Sequence, residues 1–69
     1  MQGTAIQNWF TYHPPKDDQP ERYEKIREAA KTFALVIDAC CPESADKTAT
    51  FRLLRETVMS ANQAIACNE

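Results

Sequence analysis

A chain of 69 residues with a net charge of −2, 43% hydrophobic and 26% charged, has room for one domain. Its core is small enough that a disulfide, a metal or further subunits usually have to add to it. The interspersed charge signs argue against intrinsic disorder, and the negative balance excludes the broad basic field that a DNA or RNA polymer requires. No window approaches the roughly 18 apolar residues of a membrane span, and no basic region with an apolar run precedes a cleavage site. Neither a membrane nor a nucleic-acid polymer is expected as a partner, and the expected location is cytoplasmic.

The first notable stretch is Trp9-Phe10-Thr11-Tyr12-His13-Pro14-Pro15-Lys16. Aromatic rings and fixed proline φ angles supply flat, pre-ordered surface at low entropic cost, suited to a core lid or to a platform for a flat ligand. From Gln19 the pattern becomes helical. Pro20 suits a first turn, and Asp17 or Asp18 can cap or favour the positive helix end. Tyr23, Ile26, Ala30, Phe33, Ile37 and Cys40 recur at spacings of three and four, the seam of an amphipathic helix, which Pro42 ends. Ser44 or Asp46 can then cap a second helix through Phe51, Leu54, Val58, Ala61 and Ile65.

So short a connection makes the two helices antiparallel neighbours. The expected fold is all-α: a single domain over 1–69, with an ordered aromatic and proline arm over 1–18 and helices over about 19–41 and 45–67. Ala34, Val36, Leu53, Thr57 and Ala64 widen the apolar stripes beyond one hairpin seam, which predicts assembly into a helical homo-oligomer.

The chemistry-bearing residues exclude more than they offer. Gly3 is the only glycine, so glycine-rich phosphate loops are absent. His13 is the only histidine, and Cys40, Cys41 and Cys67 lack the C-x-x-C spacing; no metal and no cofactor is expected, and the cysteines read as buried small hydrophobes in a reducing compartment. A histidine beside two prolines is a poor general base, and no enzyme is expected. Arg22, Lys25, Arg27 and Lys31 fall within ten residues of one another, interleaved with Glu21, Glu24 and Glu28, so an anion site would be small. Glu21 with Lys25 and Glu28 with Lys31 have the spacing of solvated ion pairs. Arg27 follows the seam residue Ile26 and lies at the edge of the apolar stripe, where a guanidinium suits a phosphate. If the arm folds back along the first helix, or crosses to a neighbour's helix, Tyr12 and Arg27 converge into a nucleotide clamp; otherwise Trp9, Phe10 and Tyr12 cap the hydrophobic seam.

The strings Tyr12-His13-Pro14-Pro15-Lys16-Asp17-Asp18-Gln19, Arg22-Tyr23-Glu24-Lys25-Ile26-Arg27-Glu28-Ala29-Ala30-Lys31 and the ending from Val58 to Glu69 resemble the phage anti-CBASS cyclic-nucleotide sponges. These small proteins share a helical hairpin with the larger anti-Thoeris sponges. The resemblance covers nearly the whole chain. It implies a compact homohexamer that sequesters a bacterial immune messenger without cleaving it, in the host bacterial cytoplasm. It also implies cyclic dinucleotides, such as 3′,3′-cGAMP, held between two subunits: Tyr12 matches the aromatic that stacks on a base, and Arg27 the basic residue, commonly lysine, that meets a phosphate. The candidate ligand-binding set is therefore Tyr12, His13, Pro14, Lys25, Arg27 and Lys31. Gln63 and Cys67 stand where the family often carries the arginine of a cyclic-trinucleotide site, so that site is expected to be weak or absent unless Arg52 or Arg55 substitutes. The competing expectation is a small helical protein-interaction module with no nucleotide ligand.

Overall fold

Residues 3–69 are described in the computed structural model, and among them the chain is all-helical, with α1 (Gly3–Trp9), α2 (Gln19–Cys40) and α3 (Ala45–Asn68) and no strand. The first two residues of the expected arm lie outside the described residues. Part of the rest forms α1, so the aromatic stretch is divided: Trp9 closes this helix, and Tyr12 to Lys16 follow as irregular chain.

Local signals set both ends of α2. Gln19 and Pro20 form its first turn, where the N–H that proline lacks has no helical partner anyway. Asp18 occupies the N-cap but makes no side-chain cap bond; its carboxylate pairs with Arg22 at 3.1 Å. Asp17 takes a φ of 52°, a left-handed conformation in which aspartate is enriched, and so bends the irregular run into the helix. At the other end Pro42 disfavours helical backbone in the residue before it. Cys41 is accordingly extended, while its N–H still bonds the Ile37 carbonyl at 2.9 Å. Ser44 caps α3 by accepting the Lys47 N–H at 3.1 Å, a contact worth about 1 kcal/mol in typical helices.

The turn over 41–44 makes α2 and α3 antiparallel: Asp38 late in α2 meets Lys47 early in α3 at 3.0 Å, and Arg22 early in α2 meets Glu69 just beyond α3. Half-buried Tyr23, Ile26, Ala30 and Ala34 face Phe51, Leu54, Val58, Ala61 and Ile65, with Ile37 only 6% exposed. Two expected seam residues are not there. Phe33 is 57% exposed and Cys40 is also exposed, because a two-helix contact covers a narrow stripe and Ala34 and Cys41, one position further on, fill it. The cysteines are not buried hydrophobes in this chain either, since Cys41 and Cys67 are only half-buried.

Lys47 is the larger surprise, 6% exposed despite its charge. Its Nζ donates to the Asp38 carbonyl at 3.1 Å and pairs with the carboxylates of Asp38 at 3.0 Å and Glu43 at 2.6 Å. These partners raise its pKa, and the ammonium pins the hairpin turn while its stem covers apolar surface. By contrast, Glu21–Lys25 and Glu28–Lys31 form no ion pair among the described residues. The pairs present involve only Arg22 and Lys47.

Ile37 is the only buried apolar side chain among the described residues, and burying one such residue contributes about 1.5–3 kcal/mol. The shape gives the same message. A radius of gyration of 15.1 Å exceeds the ~11 Å of a compact domain of this length. With extents of 43 × 30 × 13 Å, the thin direction has room for little more than one helix, ~10–12 Å across with its side chains.

Candidate ligand-binding site

The arm is stitched to the far end of the hairpin by polar contacts. Asn8 Nδ2 donates to the Cys67 carbonyl at 2.8 Å, and Gln63 Nε2 to the Trp9 carbonyl at 3.4 Å. His13 Nε2–H donates to the Asn8 carbonyl at 2.7 Å, since a carbonyl only accepts. Further along, buried Gln19 accepts the Lys16 N–H at 3.2 Å on Oε1 and donates from Nε2 to Glu69 Oε1 at 3.2 Å. Arg22 grips the same carboxylate with both terminal nitrogens, one at 2.7 Å. The Arg22 guanidinium, with help from Gln19, holds the Glu69 carboxyl at about 2, well below its ordinary 4.5. Ring and backbone between Asn8 and Gln19 are thereby tied at both ends.

This tie-down sets Tyr12 over the hairpin. Tyr12, His13 and Pro15 from the arm, Tyr23 and Arg27 from α2, and Asn62, Gln63 and Ala66 from α3 line one open cleft of about 400 Å³, within the range of small-ligand sites. Tyr12 is 80% exposed, so its ring is a rim and not a core lid. Phe10, 81% exposed, does not cap the hydrophobic seam either, and Trp9 is 45% exposed. Arg27 also borders a second groove of about 540 Å³, whose floor is Ala30, Ala34, Leu54 and Val58 and whose rim carries Lys31 and Arg55. Neither Arg27, Lys31 nor Arg55 has a carboxylate partner among the described residues.

The six sequence candidates are thus distributed unevenly. Tyr12, His13 and Arg27 share the cleft, and Lys31 stands one helical turn beyond Arg27 on the adjoining groove. Pro14 lines a neighbouring cleft of about 530 Å³ with Lys16, Gln19 and Glu69. Lys25 borders neither the cleft nor the groove and is exposed elsewhere on α2. Five cleft residues, Pro15, Tyr23, Asn62, Gln63 and Ala66, escaped the sequence reading as site residues. Tyr23 was assigned to the seam, Gln63 figured only as a missing arginine, and Asn62 was not considered. A usable signal existed: Asn62 follows seam residue Ala61 by one position, as Arg27 follows Ile26, so both project from the same flank of an antiparallel pair. Asn62 Oδ1 is covered and has no hydrogen-bond partner.

Among the described residues no three His, Cys, Asp or Glu side chains converge as metal ligands, and no helix is long and apolar enough to cross a membrane. A helical hairpin that carries a ring, a guanidinium and two amides around an open cleft has the features of a binding domain. The family model of the Acb2/Tad1 hairpin domain matches residues 2–66, and the chain belongs to this family, the hairpin domain of anti-CBASS and anti-Thoeris sponge proteins. No individual curated protein and no solved structure matches it.

Proposed function

We propose that the protein sequesters cyclic oligonucleotide immune messengers, foremost cyclic dinucleotides such as 3′,3′-cGAMP, without cleaving them, and so blocks CBASS signalling in the host bacterial cytoplasm. The observation that carries this reading is the meeting of Tyr12 and Arg27 on one cleft in a chain of the sponge family. A base stacked on an aromatic ring gains about 1–3 kcal/mol, and a hydrogen bond to a charged phosphate about 1.5–3 kcal/mol. Two copies of the cleft facing each other across a two-fold axis present two rings and two guanidinium groups, the complement of a ligand with two bases and two phosphates. Anion binding by a chain of net charge −2 then follows from local pairing of Arg27, with Lys31 and Arg55 nearby, and needs no global positive field.

The mechanism is equilibrium capture. A sponge acts by outnumbering its signal, and small subunits that share sites, arranged as a homohexamer, suit that task. Calorimetric titration of a panel of cyclic di- and trinucleotides tests the reading. The expected result is one dinucleotide per two chains, weak or no trinucleotide binding, and recovery of intact nucleotide after heat denaturation; a flat trace across the panel refutes it. The second reading, a protein-interaction module with no nucleotide ligand, draws on Phe10 at 81% exposure beside Tyr12 and predicts that flat trace.

A further inference from the structure

Asn62 is a polar residue of the cleft to which the clamp of Tyr12 and Arg27 gives no role. It is half-buried on α3 and lines the cleft with both of them. Its neighbours His13 and Gln63 are engaged with the backbone of the arm, His13 with the Asn8 carbonyl at 2.7 Å and Gln63 with the Trp9 carbonyl at 3.4 Å. Asn62 differs from them, because its Oδ1 is covered and has no hydrogen-bond partner. A covered acceptor without a donor is unfavourable, and native chains keep few of them. The amide is also carried by a long helix and not by the irregular arm, which suits a group that must meet a ligand at a fixed position.

This amide can be satisfied without moving the backbone. Its last torsion is soft, so a turn of the side chain brings Oδ1 into the cleft, where the amide offers one acceptor beside one donor. The edge of a base stacked on Tyr12 is the group that fits there. Adenine matches the amide on both of its polar edges, since its N6 amine donates and the flanking N7 and N1 accept. Guanine matches poorly. Its N7 and O6 both accept, so the Asn62 carbonyl would face a lone pair, and the usual partner of those two atoms, an arginine, is held by the phosphate in the proposed function. Aligning the amide with guanine O6 and N1–H leaves the N2 amine in need of an acceptor, and no carboxylate lines the cleft among the described residues.

We infer that Asn62 reads the adenine edge of the captured nucleotide, so that this chain favours cyclic dinucleotides in order of their adenine content. The inference rests on the proposed function and adds to it a base preference and the residue that sets it. A pocket shared by two chains holds two Asn62 amides, one for each base. Two adenines engage both amides, one adenine and one guanine engage a single amide, and two guanines engage neither.

Calorimetric titration of the full chain with 3′,3′-c-di-AMP, 3′,3′-cGAMP and 3′,3′-c-di-GMP tests this. Wild type is expected to bind 3′,3′-c-di-AMP at least about tenfold more tightly than 3′,3′-c-di-GMP, as bidentate base contacts discriminate, with 3′,3′-cGAMP between them. Asn62→Ala should bring that ratio below about threefold, through loss of 3′,3′-c-di-AMP affinity. Asn62→Asp should reverse the order, because a carboxylate accepts from guanine N1–H and the N2 amine and repels adenine N7 and N1. A residue that only supports the cleft would weaken all three nucleotides alike and leave the ratio intact. If neither variant melts cooperatively, wild type is titrated with the cyclic dinucleotide of purine riboside, which lacks only the N6 amines. Its Kd should lie at least about tenfold above that of 3′,3′-c-di-AMP. A wild-type preference smaller than expected, a ratio that survives Asn62→Ala, or a purine analogue bound as tightly as the adenine form overturns the inference and leaves the sponge reading intact. Flat traces with all three nucleotides refute the sponge reading, and the inference falls with it.

Discussion

Replacing Tyr12 by Ala removes a ring that is 80% exposed and makes no contact on which the hairpin fold depends. The thermal midpoint should therefore move by no more than about 2 °C, as for a surface substitution. The ligand should respond very differently. With one Tyr12 ring from each of two copies, the variant loses two stacking contacts of about 1–3 kcal/mol each. Their sum, about 2–6 kcal/mol, corresponds to a rise in Kd from about 30-fold to above 10⁴-fold. Tyr12→Phe keeps the ring face and should stay within about threefold of wild type by the same reasoning. Calorimetry with 3′,3′-cGAMP, or competition against a weaker nucleotide if binding is too tight, reads both values. A Tyr12→Ala protein that is folded and binds within twofold of wild type refutes the stacking role; a Tyr12→Phe protein as weak as Tyr12→Ala shifts the role to the phenol hydroxyl.

Arg27→Lys should retain binding within about tenfold, since it keeps the charge and loses only the planar fork, while Arg27→Glu should abolish measurable heat in the same titration. Lys47→Ala removes the ammonium that joins Asp38 and Glu43 and the stem beneath it, and should lower the thermal midpoint by about 5 °C; Lys47→Met, which keeps the stem, should recover part of that loss by circular dichroism. Glu69 predicts an acid-limb signature. Its folded pKa of about 2 lies below its ordinary 4.5, so its contribution is complete above about pH 4.5 and is lost as pH falls toward 2. Thermal melts across that window should fall more steeply for wild type than for Glu69→Gln, and parallel slopes would refute the Arg22–Glu69 latch.

Much of the hairpin was legible because its signals are local. Pro20 marks the start of α2, Pro42 its end and Ser44 the cap of α3, each acting on backbone within a few residues of itself. The apolar spacing of Phe51, Leu54, Val58, Ala61 and Ile65 reads directly as the buried stripe of α3, and the position of Arg27 beside Ile26 placed a guanidinium on the seam's edge. Tertiary structure decided what local periodicity leaves degenerate. On α2, Phe33 and Ala34 both fit the three-and-four pattern, and only the close approach of α3 selects the alanine and turns the phenylalanine outward. Lys47 reads as a surface charge until Asp38, nine residues earlier, is brought across the turn to accept it. The cleft required the arm to be tied back by Asn8, His13 and Gln63, contacts that span up to 59 residues. The sequence by itself therefore determined the two long helices, the turn between them and the family, because those follow from backbone preferences and side-chain order along the chain, whereas α1 went unread within the arm. Which side chains meet, Tyr12 with Arg27 and Asn62 above all, was decided by the packing of three distant segments, which no spacing along one helix encodes.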